Sequence, residues 1–467
     1  MTEWAGPTGW LDLSGAGLVV GLMLVVARRA ASRPEEYLVA NRSLGLLPLA
    51  ATLVMTEFNT STLLAFSATG YQAGPMAVAL PLVFLIGLGF YTVTVARAWK
   101  RFDRLSVVEL FAARYSPALG RLVSVLLIAA MIGFSATYLT SLTLLLVPWT
   151  GPADPWLVSA GIAIVTLLVV LRGGLAAVVR TDIVGFLLTI GLVGALYLQS
   201  RTGVEVAPFP ALQRTVDPVA QWAHPALPFR FVVTLIVLTC FTYIAAPWYG
   251  QKIFAARDER TAFVAVGVSA VLIFVLYGVM VLGAAFFKAS GVTLDDPQQV
   301  VPRMIAAWLP TGFKGVGIAM LFTAALTTLA GVWSAMAAMV AADFRVRGGM
   351  SVRGQRLLIV AFAVVCWLGA NLLVDDILNR LILANIPVAA LSFALLAGFH
   401  WPRATVAGAW ASVVVGVAWG VGCFVVVGEA GGYTWPWAIY GIPLVFATGI
   451  GVSLLGPASA SSESSRA

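Results

Sequence analysis

Thirteen stretches of about 18 or more predominantly apolar residues follow one another along this chain, separated by short breaks rich in charge, proline or glycine. Each is long enough to cross the hydrocarbon of a bilayer as a helix. Their approximate limits are 11–27, 44–70, 76–99, 117–148, 155–171, 176–199, 229–249, 261–287, 313–342, 355–373, 378–400, 404–427 and 434–455. The predicted fold is therefore all-α: a polytopic membrane protein with about 13 transmembrane helices. Composition agrees, since 60% of the 467 residues are hydrophobic and 10% charged, where soluble proteins carry about 25%.

The net charge of +8 is not a nucleic-acid footprint, because the basic residues alternate with the spans. With the N-terminus outside, 21 of the 28 Lys and Arg fall on cytoplasmic ends, among them Arg28, Arg29, Arg97, Lys100, Arg101, Lys252, Arg257 and Arg345. The other seven are Arg201, Arg214, Arg230, Lys288, Arg303, Lys314 and Arg380. By the positive-inside rule this orients the chain N-out and C-in, in the plasma (cytoplasmic) membrane. Met1-Thr2-Glu3 is not a basic leader, so the first span is expected to be retained. Cys240, Cys366 and Cys423 lie inside apolar spans and read as small packing residues. His224 and His400 fall on opposite sides of the membrane and cannot share a metal.

One span is unlike the rest. From Leu44 to Gln72 the chain reads LGLLPLAATLVM, then TEFNTST, then LLAFSATGYQ, and in the central seven residues only Phe58 is apolar. Thr56 begins roughly 18 Å into a core about 30 Å thick, so Glu57 lies near the midplane. A carboxylate there costs on the order of 2.5–3.5 kcal/mol unless a cation or a proton offsets it, and such a residue marks a functional site. A second polar cluster lies in LFTAALTTLAGVWSAMAAMVAADF, where Ala324, Thr327 and Thr328 share one helical face. Two threonines in an apolar helix commonly do no more than bond back to a carbonyl one turn earlier. Pro247, near the inner end of the seventh span, is expected to kink or end that helix.

Several motifs occur in a fixed order along the chain. EEYLVANRSLG precedes the polar span; Glu109, Phe111, Arg114 and Tyr115 follow the third span; RGGLAAVVRTDIVGF joins the fifth to the sixth; GQKIFAARDER closes the seventh; the threonine pair is followed by Asp343; and LLAGFHWPRATVAGAWAS joins the eleventh to the twelfth. In these residues the chain resembles the sodium:solute symporter family, with Arg180 standing where that family has Trp and Glu57 at a position where many members have Asn or Ser.

The resemblance implies a LeuT-like core of five plus five inverted helices. The corresponding division is 1–43 for a leading helix and connector, 44–199 for the first repeat, 200–228 for an extracellular loop, 229–400 for the second repeat, 401–456 for two further helices and 457–467 for a disordered tail. It also implies sodium as the coupling ion, held by the carbonyls of Met55, Phe58 and Ala324 and the hydroxyls of Thr327 and Thr328, with Asp182 on the inward release path. Asp182 reads equally well as a partly solvated carboxylate at a helix N-terminus. The solute would then lie against Glu57, Asn59, Thr60, Thr62, Thr239, Thr242 and Tyr243, with Tyr243 and Trp248 as gate or as packing aromatics.

A phosphate-binding Gly-rich loop ending in Lys-Ser/Thr is absent from the sequence, so energy is expected from a gradient rather than from a nucleotide. Polarity is confined to midplane clusters, unlike a channel's continuous stripe, and the deep His, Asp or Cys constellations of a membrane enzyme are missing. The expected function is sodium-coupled import of a small organic solute, with no further cofactor. A buried Glu57 with no cationic partner in the spans points to an amine-bearing solute such as an amino acid; the alternative is a carboxylate or sugar, with Glu57 serving a second sodium or a proton.

Overall fold

The structure is a computed structural model and describes residues 9–28, 42–104, 106–150, 153–171, 175–202, 226–343 and 352–455. The first part of the connector motif, nearly all of the 200–228 loop with His224, and the tail lie outside the described residues. Every apolar stretch folds as helix. The long elements are α1 (Trp10–Arg28), α2 (Leu46–Glu57), α3 (Thr60–Ala73), α4 (Ala79–Thr94), α5 (Pro117–Thr150), α6 (Pro155–Val170), α7 (Leu175–Thr202), α8 (Phe229–Tyr243), α9 (Pro247–Phe254), α10 (Glu259–Ala289), α11 (Phe313–Asp343), α12 (Val352–Leu372), α13 (Ile377–Ala384), α14 (Ser392–His400), α15 (Val406–Val427) and α16 (Ile442–Leu455). Among the described residues, eight helical segments are long and apolar enough to cross a bilayer unaided, and ten are if two bent pairs each count as one.

Two breaks position the site. Between α2 and α3, Phe58 takes φ −76°, ψ 70° and Asn59 is extended. The Phe58 dihedrals are those of an inverse γ-turn, closed by Asn59 N–H donating to Glu57 O at 2.8 Å. Between α8 and α9 the axis bends by 47° at Pro247, as the sequence predicts. Proline offers no N–H there and sits at the first turn of the new helix, where none is needed.

The family-like motifs meet at one end of the bundle. Leu44 pairs with Ala256 in a short parallel bridge: Leu44 N–H donates to Ala255 O at 3.0 Å and Arg257 N–H to Leu44 O at 3.1 Å. Lys100 Nζ donates to Phe254 O and to Asp103, both at 3.1 Å. Arg114 donates to Pro402 O at 2.9 Å and Tyr115 to Ala394 O at 2.8 Å. These bonds staple the RSLG segment to QKIFAARDER, and the Glu-x-Phe…Arg-Tyr segment to the helix and junction around WPRAT.

At the opposite end of α3 the bundle is open. A cavity of about 840 Å³ lies among α3, α8, α13 and the 428–436 segment, and its walls include Thr69, Gln72, Arg230, Asp376 and Trp435. Its deepest α3 residue, Ala65, stands roughly two turns from Glu57.

Candidate solute and ion site

The α2–α3 break redirects the main chain's donors. In an unbroken helix Asn59 N–H would bond Met55 O and Thr62 N–H would bond Phe58 O. Here Asn59 N–H turns to Glu57 O and to the Tyr277 hydroxyl (3.1 Å), while Thr62 N–H is taken by Asn59 Oδ1 at 2.9 Å, an N-cap. The carbonyls of Met55 and Phe58 thus lose their helical donors. Glu57 O is in the reverse condition, since it accepts from Asn59 N–H, from Asn59 Nδ2 at 3.0 Å and from the Tyr277 hydroxyl.

The Glu57 side chain is buried beside the second break. Tyr243 at the end of α8 donates to Oε2 at 2.5 Å, and Trp248 in the first turn of α9 donates to Oε1 at 3.2 Å. Both donors are neutral. Among the described residues no Lys or Arg forms an ion pair with this carboxylate. The two aromatics are themselves fixed from behind, Tyr243 edge-on to Phe84 at 5.6 Å and Trp248 to Phe134 at 4.9 Å. Beside the gate and packing roles that the sequence left open, the structure shows both side chains bonded to Glu57.

On α11 the hydroxyls of Thr327 and Thr328 both donate to Ala324 O, at 2.9 and 3.1 Å. This is the back-bonded geometry common to helix threonines. It does not consume the hydroxyl oxygens, which keep lone pairs for a cation while their protons point away. The Thr60 hydroxyl donates to Leu321 O at 3.2 Å, which seats the start of α3 against α11 one turn before Ala324.

The structure departs from the sequence-based expectation at two places. Asp182 is neither solvated nor terminal: it is the eighth residue of α7, 4% exposed, and ion-paired to Lys252 Nζ at 2.8 Å. The Thr52 hydroxyl donates to the same carboxylate at 2.5 Å, and Lys252 also donates to Thr52 O at 3.0 Å. Lys252, counted in the sequence among the basic residues of a cytoplasmic end, is a buried residue whose charge is matched within the bundle. The Thr239 methyl packs into the notch left by Gly87 on α4, where a Cβ would come within 2.5 Å of it. Thr242 is fully buried and its hydroxyl has no hydrogen-bond partner among the described residues.

Tyr277 and Lys252 went unnoticed as site residues in the sequence. Lys252 stands inside a basic motif and Tyr277 inside a long apolar run, so neither had a local signal.

The sodium:solute symporter family model matches residues 37–416, which contain both breaks, both polar clusters and every motif from the connector to the WPRAT junction. The chain belongs to the sodium:solute symporter family. Its sequence is 23% identical over 411 residues to the sodium/pantothenate symporter of Haemophilus influenzae, covering 82% of each protein. Its fold is similar to that of a Na+-coupled sialic acid symporter in a substrate-bound outward-open state, with a TM-score of 0.76 at 16% identity over 96% of this chain and 98% of the other. A manganese transporter from Eremococcus coleocola is more distant, with a TM-score of 0.52 at 12% identity over 88% of this chain and 93% of that one. The fold is thus the LeuT-like one, and as a member of this family the chain is a transporter and not an enzyme. The family's partners are a solute and sodium.

Proposed function

We propose that this symporter couples the entry of sodium to the import of a small organic solute bearing an ammonium group, an amino acid or a similar zwitterion. The observation that carries the solute class is Glu57, a midplane carboxylate held by two neutral donors and, among the described residues, in no ion pair with a Lys or Arg. A charge in that position needs a positive partner, and a solute ammonium supplies one. Thr242, with its unpartnered hydroxyl beside Tyr243, offers a further contact, and Asn59, Thr60 and Thr62 shape the α3 side of the same space. A second reading is favoured by the relatives, since pantothenate and sialic acid are acids: the solute is then a carboxylate or sugar, and Glu57 meets a second sodium or a proton.

The coupling sodium is assigned to the carbonyls of Met55, Phe58 and Ala324 and the hydroxyls of Thr327 and Thr328. Support comes from the donors withdrawn from Met55 and Phe58, and from the orientation of the threonine hydroxyls, since sodium is a hard cation that prefers such oxygens. Asp182 would meet the departing ion only in competition with Lys252. Uptake into proteoliposomes is expected to require an inward sodium gradient, and Thr328→Val to raise the half-saturating sodium concentration on the order of tenfold, as for a lost contact of about 1.4 kcal/mol. Uptake at full rate with potassium replacing sodium overturns sodium coupling. A Thr327→Val/Thr328→Val protein with unaltered sodium dependence moves the site elsewhere.

We place the N-terminus outside and the C-terminus inside a plasma membrane, which makes the 840 Å³ cavity an outer vestibule and the Leu44–Ala256 bridge part of an inner closure. The basic asymmetry and the wide apolar outer faces, with Leu157, Leu187 and Val426 exposed, support this placement in a lipid bilayer. Cysteines replacing Thr202 and Ser290 should react with an impermeant thiol reagent on intact cells, and ones replacing Ser32 and Ser351 should not. Labelling at 351 from outside reverses the orientation.

A further inference from the structure

We infer that Tyr277 is a positioning residue for sodium coupling, acting by holding the α2–α3 break open; the inference rests on the sodium site proposed above. Tyr277 is fully buried on α10. Its one hydroxyl serves both sides of the break, accepting from Asn59 N–H at 3.1 Å and donating to Glu57 O. The inverse γ-turn pairs these two main-chain groups with each other at 2.8 Å, and the hydroxyl adds a second partner to each. Asn59 N–H, shared between Glu57 O and the tyrosine, is turned away from Met55 O, and the carbonyl assigned to sodium keeps its lone pairs.

The ring is fixed as firmly as the hydroxyl. It packs on Phe58 at 4.8 Å between centroids, on Phe66 at 5.5 Å and on Phe84 at 5.7 Å. One turn farther along α10 the backbone meets α3 directly: a Cβ at Gly70 would stand 2.6 Å from Val281 O. That close approach leaves α10 little freedom to carry the hydroxyl away from the break. Phe58 provides a second coupling, since the residue whose carbonyl is assigned to the ion is also the one whose ring stacks on Tyr277.

Buried tyrosine hydroxyls commonly just satisfy a nearby group, so the test separates positioning from packing. Tyr277→Phe keeps the ring and removes the hydroxyl. Half-saturating sodium for uptake is expected to rise about fivefold or more, while half-saturating solute measured at saturating sodium shifts less than twofold. Phe84→Leu, which loosens the ring cluster but keeps the hydroxyl, is expected to leave half-saturating sodium near the wild-type value. If Tyr277→Phe is not recovered folded, Tyr277→His, whose ring nitrogens donate and accept, is compared with Tyr277→Leu, and the histidine protein should need less sodium. The inference is overturned if Tyr277→Phe leaves the sodium curve unchanged, if Phe84→Leu shifts it equally, or if the His and Leu proteins do not differ. Wild-type protein indifferent to sodium is a separate result, which removes the sodium site itself.

Discussion

Glu57→Gln is expected to lower solute uptake on the order of a hundredfold or more while sodium still stabilises the purified protein against heat. Glutamine has nearly the shape of glutamate and can still accept from Tyr243 or Trp248, so the pocket should survive. What disappears is the negative charge. Removing one member of a buried hydrogen-bonded charge pair costs about 2–5 kcal/mol of binding, and each 1.4 kcal/mol is about tenfold. The sodium site proposed on main-chain carbonyls and threonine hydroxyls would keep its ligands, and a ligand that binds only the native state continues to raise its stability. The decisive measurement is sodium-dependent binding of the transported solute to Glu57→Gln across a pH series. Unchanged affinity at every pH rules out direct ammonium contact. A changed ion coupling or pH dependence with solute selectivity retained supports the reading in which Glu57 meets a second sodium or a proton.

The second large effect is on stability. Lys252→Met leaves the Asp182 carboxyl 4% exposed, without its ion-pair partner and bonded to the Thr52 hydroxyl. Breaking a buried ion pair by deleting one partner costs about 3–5 kcal/mol, because the remaining charge is still out of water and now unmatched. The purified variant should therefore unfold at markedly lower temperature than the wild type. Replacing both members with apolar residues of similar bulk, Lys252→Met with Asp182→Leu, removes the uncompensated charge and is expected to recover most of that loss. A single variant as stable as the wild type, or a double variant no better than the single, contradicts the ion pair as described.

The bundle was legible because hydrocarbon imposes a demand that each segment meets alone: a helix closes its backbone bonds locally, so an apolar run of sufficient length declares itself without reference to the rest of the chain. The same holds for Pro247, whose missing donor acts on its own helix, and for the polar residues around Glu57, which are conspicuous because their surroundings are apolar. The seven residues with one apolar member marked this span as unlike the rest, and the structure places the α2–α3 break among them.

Partners across the bundle were decided by tertiary structure. Asp182 and Lys252 are 70 residues apart, and both lie near chain features that imitate a solvated membrane edge, an Arg-rich turn and a basic motif. Only the packing of α7 against α2 and α9 removes their water and forces them together. Tyr277 is 218 residues from Asn59, and nothing in its own apolar stretch distinguishes it from a packing aromatic until α10 aims its hydroxyl at the break. Thr239 gives a further case: the notch at Gly87, set by the approach of α4, takes its methyl group, a contact that its own stretch of sequence does not announce. Local rules of hydrophobicity and backbone bonding marked the apolar helices and the bend at Pro247. The pairing of charges and hydroxyls needed the fold, because a side chain's solvent and its partners are properties of what other segments bring beside it.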